Sequence, residues 1–253
     1  MINVVCVKAG TKYNSEFVNR LYRMVEKNLS LPFDFYCLTE DPTGIRKEVK
    51  IKDISEEIEE GLSGFWPKFL VFNPEIYDIP GETVFFDLDI IIQNNFDHFF
   101  KNIEKDKIKI LHTGTNDVLL EYEINVGYYY ETEVNSSVMV FNSNEMIEIY
   151  NYFINDMYSI MEKYKGVCRV LWNKYKYKLQ YLKVFEDHYS LFFSNAEMQK
   201  IKDFDTFQIY IDVIGDTIYY VPNCTIALLN GKNDIWHKTE GQQLRSFFSD
   251  YYK

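Results

Sequence analysis

The sequence predicts a single α/β domain with a mostly parallel central sheet flanked by helices. Three observations carry that prediction. A strand, a helix and a second strand read off within residues 3–38, and such βαβ units are parallel and right-handed. Apolar residues make up 47% of the 253, enough for one large core. No repeat, low-complexity tract or linker divides the chain, so one continuous domain is the simplest reading.

The elements follow in order. Residues 3–8 (Asn-Val-Val-Cys-Val-Lys) are an apolar run suited to a buried strand, punctuated by Gly10. Over 15–29, Phe17, Val18, Leu21, Met24, Val25 and Leu29 recur at helical spacing, with Ser15 as the expected N-cap. Residues 33–38 form the second strand, closed by Thr39-Glu40-Asp41-Pro42. The stretch 44–63 is charged and reads as a solvated loop or short helix. Gly64-Phe65-Trp66-Pro67-Lys68 leads into a short helix ending at Asn73. Residues 82–92 give the strongest strand signal, and 108–111 and 137–141 read as further strands. A long amphipathic helix is expected over 143–164. The Lys/Tyr-rich region 165–215 has no assignable pattern. Short strands near 217–221 and 225–229 precede a polar tail.

Composition narrows the function. A net charge of −11 repels polyphosphate surfaces, so nucleic acid and anionic membrane are poor general partners. Any phosphate would need a local arrangement that includes a metal. Aromatic residues reach 17%, which suggests aromatic-lined grooves as well as a core. Cys6, Cys37, Cys168 and Cys224 lie far apart without a CxxC or His cluster, and read as buried reduced thiols. Cys6 and Cys37 fall in strands that can be neighbours, which leaves a disulfide between them open. No apolar run approaches the roughly 18 residues a membrane span needs. With no export signal read at the start, the sequons at Asn28, Asn135 and Asn223 are expected to be inert. A soluble, cytoplasmic protein is expected.

Asp87-Leu88-Asp89 is the informative motif. Its carboxylates follow Val84-Phe85-Phe86 and precede Ile90-Ile91-Ile92, and alternation along an extended chain puts both on one side. Two like charges in apolar surroundings are costly unless compensated, and a hard divalent cation compensates them naturally. Spacing alone is weak evidence. Asp203-Phe204-Asp205 has the same spacing in a polar stretch and reads as solvated surface.

Context adds what spacing lacks. Val4-Val5-Cys6-Val7-Lys8 is followed by Lys12-Tyr13 and Phe17-Val18-Asn19-Arg20-Leu21-Tyr22. Cys37-Leu38-Thr39-Glu40-Asp41, Gly64-Phe65-Trp66-Pro67-Lys68, Val84 to Ile92 and Asn135-Ser136-Ser137-Val138-Met139 then follow in order. This series resembles the GT-A glycosyltransferases grouped with the retaining family-8 sugar transferases, well over about residues 1–142 and weakly beyond.

The resemblance implies a Rossmann-related GT-A domain, with a nucleotide-sugar and metal half at about 1–142 and an acceptor half at about 143–253. It implies metal-dependent transfer of a hexose from a nucleotide sugar, UDP-linked, to a hydroxyl of a glycan or other acceptor. Asp87 and Asp89 would hold Mn²⁺ or Mg²⁺, with Leu88 between them at the donor. Lys8, Ala9, Gly10 and Tyr13 would meet the nucleotide, with Tyr13 either stacking on the base or simply packing. Asp41 would accept from base or ribose, or else start the turn at Pro42. Lys68 would neutralise the diphosphate, or be a solvated helix lysine. Asn135 would face sugar or acceptor, or be a satisfied strand-end asparagine.

Two departures stand out. The family's C-terminal His-Gly pair, whose His is a metal ligand, corresponds here to Asn230-Gly231, followed by Lys232 for the diphosphate. An amide oxygen ligates Mn²⁺ less well than imidazole. His237 can substitute only if the chain folds back, and otherwise reads as an exposed tail residue. The family's Asp-Gln-Asp step has Glu186-Asp187 as its nearest match, two acids that contact sugar or acceptor or else begin a helix. Two rival functions remain. Asp-x-Asp after an apolar strand also suits haloacid-dehalogenase-type phosphotransferases, yet no later Gly-Asp-x-x-x-Asp motif accompanies it. With Asn230 in the metal position, an inactive nucleotide-sugar-binding relic is the other alternative.

Overall fold

Strand β1 (Ile2–Lys8), helix α1 (Ser15–Asn28) and strand β2 (Phe33–Thr39) form the expected βαβ unit. The computed structural model describes residues 1–112, 134–182, 206–210 and 225–230. β1 and β2 are parallel, with Cys6 beside Cys37. Both thiols are free and buried, and burial pushes the Cys6 thiol up. The open disulfide is therefore not formed. α1 buries Phe17, Val18, Leu21, Met24 and Val25, which share one core with Val4 and Cys6 of β1. Its N-cap is Asn14 rather than Ser15: Asn14 keeps an extended backbone, and its side chain accepts from the Glu16 N–H at 3.1 Å.

The charged stretch after β2 holds a strand that its composition conceals, β3 (Lys50–Asp53), before helix α2 (Ser55–Glu59). Charge marks β3 as an edge strand lying outside β2. A 3-10 helix at Trp66–Phe72 and helix α3 (Pro74–Tyr77) lead to β4 (Glu82–Phe86), parallel to β1. The predicted strand over 82–92 is broken. The chain leaves the large sheet after Phe86, turns at Leu88-Asp89, and resumes as β5 (Ile90–Ile92) in a second sheet. Apolar residues on both sides of the turn hide this break from periodicity.

Further strands are β6 (Ile108–His112), β7 (Val134–Asn142), β8 (Leu179–Leu182), β9 (Thr206–Tyr210) and β10 (Ile226–Asn230). Among the described residues the large sheet has the order β3-β2-β1-β4-β7-β6-β8, mostly parallel, with β7 antiparallel to both neighbours. The small sheet is β5-β10-β9. The helix expected over 143–164 is interrupted. Its parts are a 3-10 turn, α4 (Ile147–Asn155) and α5 (Met157–Tyr164), broken at Asp156. Asn and Asp in succession disfavour helix by competing for backbone groups. Helix α6 (Val167–Tyr175) fills part of the unassigned region. The proposed strand at 217–221 and Asp203 and Asp205 lie outside the described residues.

Alternate residues of β1 enter opposite cores, as expected for a sheet covered on both faces. Val4 and Cys6 face α1, whereas Val5 joins the 3-10 helix and α4. That second core is built on stacked rings: Phe153 lies 4.2 Å from Phe69 and 5.7 Å from Trp66, nearly parallel to both. These contacts hold the segment carrying Lys68 against the sheet. Phe153→Ala should therefore cost about 3–5 kcal/mol in urea unfolding, with Phe153→Leu retaining a substantial share.

Candidate functional site

The large sheet grows from β1 to β2 and β3 on one side, then switches to β4 on the other. In such sheets a crevice opens beyond the carboxyl ends of the strands at the switch. A cleft of about 250 Å³ lies there. Ala9, Lys12 and Tyr13 line it from the end of β1 and the following turn. Gly64, Phe65 and Lys68 line it from the approach to the 3-10 helix, and Asp87, Leu88 and Asp89 complete it. The Asp-Leu-Asp turn is fixed from both ends. The Asp87 N–H donates to the Ser137 carbonyl at 2.9 Å, continuing the β4–β7 ladder, and Leu88 is buried.

Lys68 Nζ donates to Asp87 Oδ2 at 2.7 Å, with both side chains mostly buried. Burial lowers the Lys68 pKa, but Asp87, then Cys168 and Asp89, outweigh it and the net shift is upward. The ammonium stays charged. Tyr13 donates its hydroxyl to Asp89 Oδ2 at 2.8 Å. Burial, then the neighbouring Asp87, nonetheless holds the Asp89 carboxyl above its ordinary value, despite Tyr13, Lys12 and Lys68. Two hard carboxylates short of positive charge fit Mg²⁺ or Mn²⁺. No third His, Cys, Asp or Glu joins them among the described residues. β10 runs antiparallel to β5 with Leu228 beside Ile90, and Asn230 is its last residue, two positions further on.

The other predicted residues divide. Ala9 and Leu88 line the cleft. Tyr13 both lines it and packs on Phe17, 4.8 Å between ring centroids. Lys8 does not line it: its buried ammonium donates to the Asp41 carbonyl at 2.9 Å and contacts Asp41 Oδ2 at 3.3 Å. Asp41 starts a turn, accepting from the Thr43 N–H at 3.0 Å, and Thr43 and then Lys8 hold its carboxyl below the ordinary value. Both of its oxygens are engaged. Gly10 has φ +69°, a conformation that favours glycine, and gives its N–H to Glu40 at 2.6 Å. Asn135 accepts from the Ser137 N–H at 2.7 Å and is not among the cleft residues. Glu186, Asp187, Lys232 and His237 lie outside the described residues.

Four cleft residues, Val7, Lys12, Gly64 and Phe65, had no assigned role in the sequence. Lys12 sits over the Tyr13 ring at 4.6 Å, and its signal was a lysine in the turn after the first strand. Phe65 is 46% exposed at the cleft, and its signal was an aromatic after Gly64 ahead of Trp-Pro. The Lys68–Asp87 pair yields a stability prediction. Lys68→Met should lose at least about 2 kcal/mol in metal-free urea unfolding at neutral pH, and adding Asp87→Asn should recover part of it.

No protein-family model and no curated protein sequence matches this chain. Solved structures do. The galactosyltransferase LgtC, solved with donor and acceptor sugar analogues, aligns at TM-score 0.61 and 12% identity, over 99% of this chain and 95% of that one. The glycosyltransferase GlyE of Streptococcus pneumoniae TIGR4 aligns at TM-score 0.59 and 12% identity, over 99% of this chain and 59% of its own. The bifunctional glycosyltransferase WbbM aligns at TM-score 0.57 and 10% identity, over 99% of this chain and 48% of its own. The described residues contain no helix long and apolar enough to cross a membrane. The chain has the GT-A-like fold of these glycosyltransferases, a mostly parallel α/β sheet with its crevice at the β1/β4 switch.

Proposed function

We propose that this chain is a metal-dependent glycosyltransferase acting in the cytoplasm, with a nucleotide half at about 1–142 and an acceptor half at about 143–253. It moves a hexose from a UDP-linked donor to a hydroxyl of a glycan or other acceptor, with retention at the anomeric carbon. One observation carries the reading: Tyr13, Lys68, Asp87 and Asp89, distant in sequence, converge on one cleft at the switch point. The fold shared with glycosyltransferases supports it.

Asp87 and Asp89, with Asn230 as a weak third ligand, would hold Mn²⁺ or Mg²⁺. The cation supplies positive charge for the leaving diphosphate. Lys68 supplies a second positive charge from the protein, exchanging Asp87 for a phosphate oxygen when the donor enters. The Tyr13 ring offers the base a face, with its hydroxyl anchored on Asp89. Asn135, Glu186 and Asp187 are assigned to the sugar and acceptor, and Lys232 to the diphosphate. This chemistry needs no strong protein base. The inactive-relic reading has one observation in its favour: Lys68 already neutralises Asp87 without a metal. The phosphotransferase alternative gains no support from a fold shared with glycosyltransferases.

A screen of nucleotide sugars with Mn²⁺, reading released nucleoside diphosphate, tests the proposal. Donor hydrolysis without acceptor is expected from one UDP-hexose, and Asp89→Asn should abolish it together with Mn²⁺-assisted UDP binding while the fold persists. A relic would bind UDP with little metal dependence and release no sugar. A second test concerns Asn230. If it ligates weakly, Mn²⁺ and UDP strengthen each other's binding, and Asn230→His tightens Mn²⁺. Calorimetry giving the same Mn²⁺ affinity for both proteins, with and without UDP, would remove Asn230 from the site.

A further inference from the structure

Six of the chain's 27 lysines and arginines, and none of its 38 acids, fall within residues 163–178. In a protein of net charge −11 this is a local reversal of sign. The segment runs from the end of α5 through α6 to the 3-10 turn before β8. Helix α6 buries Val167, Val170, Leu171 and Tyr175, so helical spacing sets Arg169, Trp172 and Lys176 on its outer side, with Lys165 just ahead of its first turn. Lys174 and Lys176 suit the helix C-terminus, but Lys165 and Arg169 oppose the dipole at its N-terminus. Helix stability therefore does not account for the whole face. Lys178 is buried against Glu148, and Arg169 donates to the Tyr164 carbonyl at 3.3 Å. Lys163, Lys165, Lys174 and Lys176 are exposed and form no ion pair among the described residues. Elsewhere on the surface, Lys50 and Lys105 each meet a carboxylate. Three of the four lie over rings instead: Lys163 is 5.2 Å from the Tyr164 centroid, Lys174 5.7 Å from that of Tyr152, and Lys176 3.8 Å from that of Trp172. Tyr177, 64% exposed, adds an open aromatic ring beside them.

We propose that this face docks on a membrane surface rich in anionic phospholipid, holding the chain against a bilayer that it does not cross. The proposal stands apart from the donor reading, since none of these residues lines the cleft. Its chemistry is that of an interfacial surface. Ammonium groups on long apolar stems reach the headgroup phosphates, while Trp and Tyr rings settle at headgroup level. Each lysine near such a surface adds attraction, and the attachment is reversible and weakened by salt. The rest of the protein is acidic and is repelled, so contact is confined to this one face. A nucleic acid carries the same phosphate charge but gains its hold on aromatic residues by stacking bases on open ring faces. Lys176 already covers the Trp172 ring, whereas at a headgroup interface ring and ammonium are accommodated together. The outer side of a helix also meets a plane without needing a groove.

Flotation of the full chain with vesicles tests it, using phosphatidylcholine with about 30% phosphatidylglycerol and, as the neutral control, phosphatidylcholine alone. The wild-type protein should bind the anionic vesicles at least about tenfold more strongly than the neutral ones, and be released as salt rises towards about 1 M. Lys174→Gln with Lys176→Gln should weaken binding about twentyfold, at about fivefold for each lysine. Lys47→Gln with Lys50→Gln removes the same charge at the β3 margin and should leave binding nearly unchanged. An unaltered urea midpoint shows that each variant is folded. Lys163→Gln with Lys165→Gln, which leaves α6 intact, carries the same expectation if the first pair does not fold. Absence of binding to the anionic vesicles overturns the proposal, as does equal binding to the neutral ones. Equal effects of the α6 and β3 pairs also overturn it. Duplex DNA bound as tightly as the anionic vesicles at the same salt overturns the membrane assignment and makes the face a general polyanion site. UDP binding plays no part in these readouts, so failure of the donor reading leaves the proposal standing.

Discussion

Two carboxylates separated by one residue in a buried turn repel each other, and the cleft is organised around that repulsion. At about 4–5 Å and an effective dielectric near 20, unit charges interact by on the order of 3–4 kcal/mol, a large share of a domain's net stability. The chain answers with Lys68 on Asp87 and the Tyr13 hydroxyl on Asp89. These partners come from two segments far apart in sequence, both ahead of β4, so compensating the turn also ties the β1–α1 connection to the 3-10 helix. Compensation is incomplete, since Asp89 still titrates above its ordinary range. A site left short of positive charge is disposed to accept a cation, and it needs no rearrangement of the sheet to do so.

The turn keeps its shape because it joins two sheets. β4 is held by β1 and β7, and β5 by β10, with buried Leu88 between. Neither sheet alone would fix both aspartates. The same junction explains how distant parts of the chain reach the crevice. β10 belongs to the C-terminal region, yet its pairing with β5 sets Leu228 beside Ile90, the residue that follows the Asp-Leu-Asp turn. The helix α1 lies against β5 through the shared core of Met24, Val25 and Ile91, so the small sheet is anchored to the βαβ unit and not merely appended to it.

Much of this was legible in the sequence, and what was not has physical reasons. β1, α1 and β2 were readable because period and punctuation agree there. The break after Phe86 was not, because apolar residues continue across it and neither strand signal fades. β3 was hidden by the charge that an edge strand tolerates, and the interruption at Asp156 by the amphipathic pattern around it. At the site, Lys68, Asp87, Asp89 and Tyr13 were legible through motif and order. Lys8 and Asp41 were assigned to a ligand but pair with each other. Adjacent acids look alike in a sequence; only the path of the backbone decides which one meets Lys8.

The edge strand has a consequence beyond the fold. β3 presents Lys-Ile-Lys-Asp at the outer margin of the large sheet, with Lys50, Ile51 and Asp53 exposed and Lys50 paired to Asp34. Another copy docking strand to strand would have to desolvate those charges over a margin only four residues long. In a crowded solution such charge disfavours self-templating along β3. The charge that disguised the strand in the sequence also makes pairing with a neighbouring copy costly there.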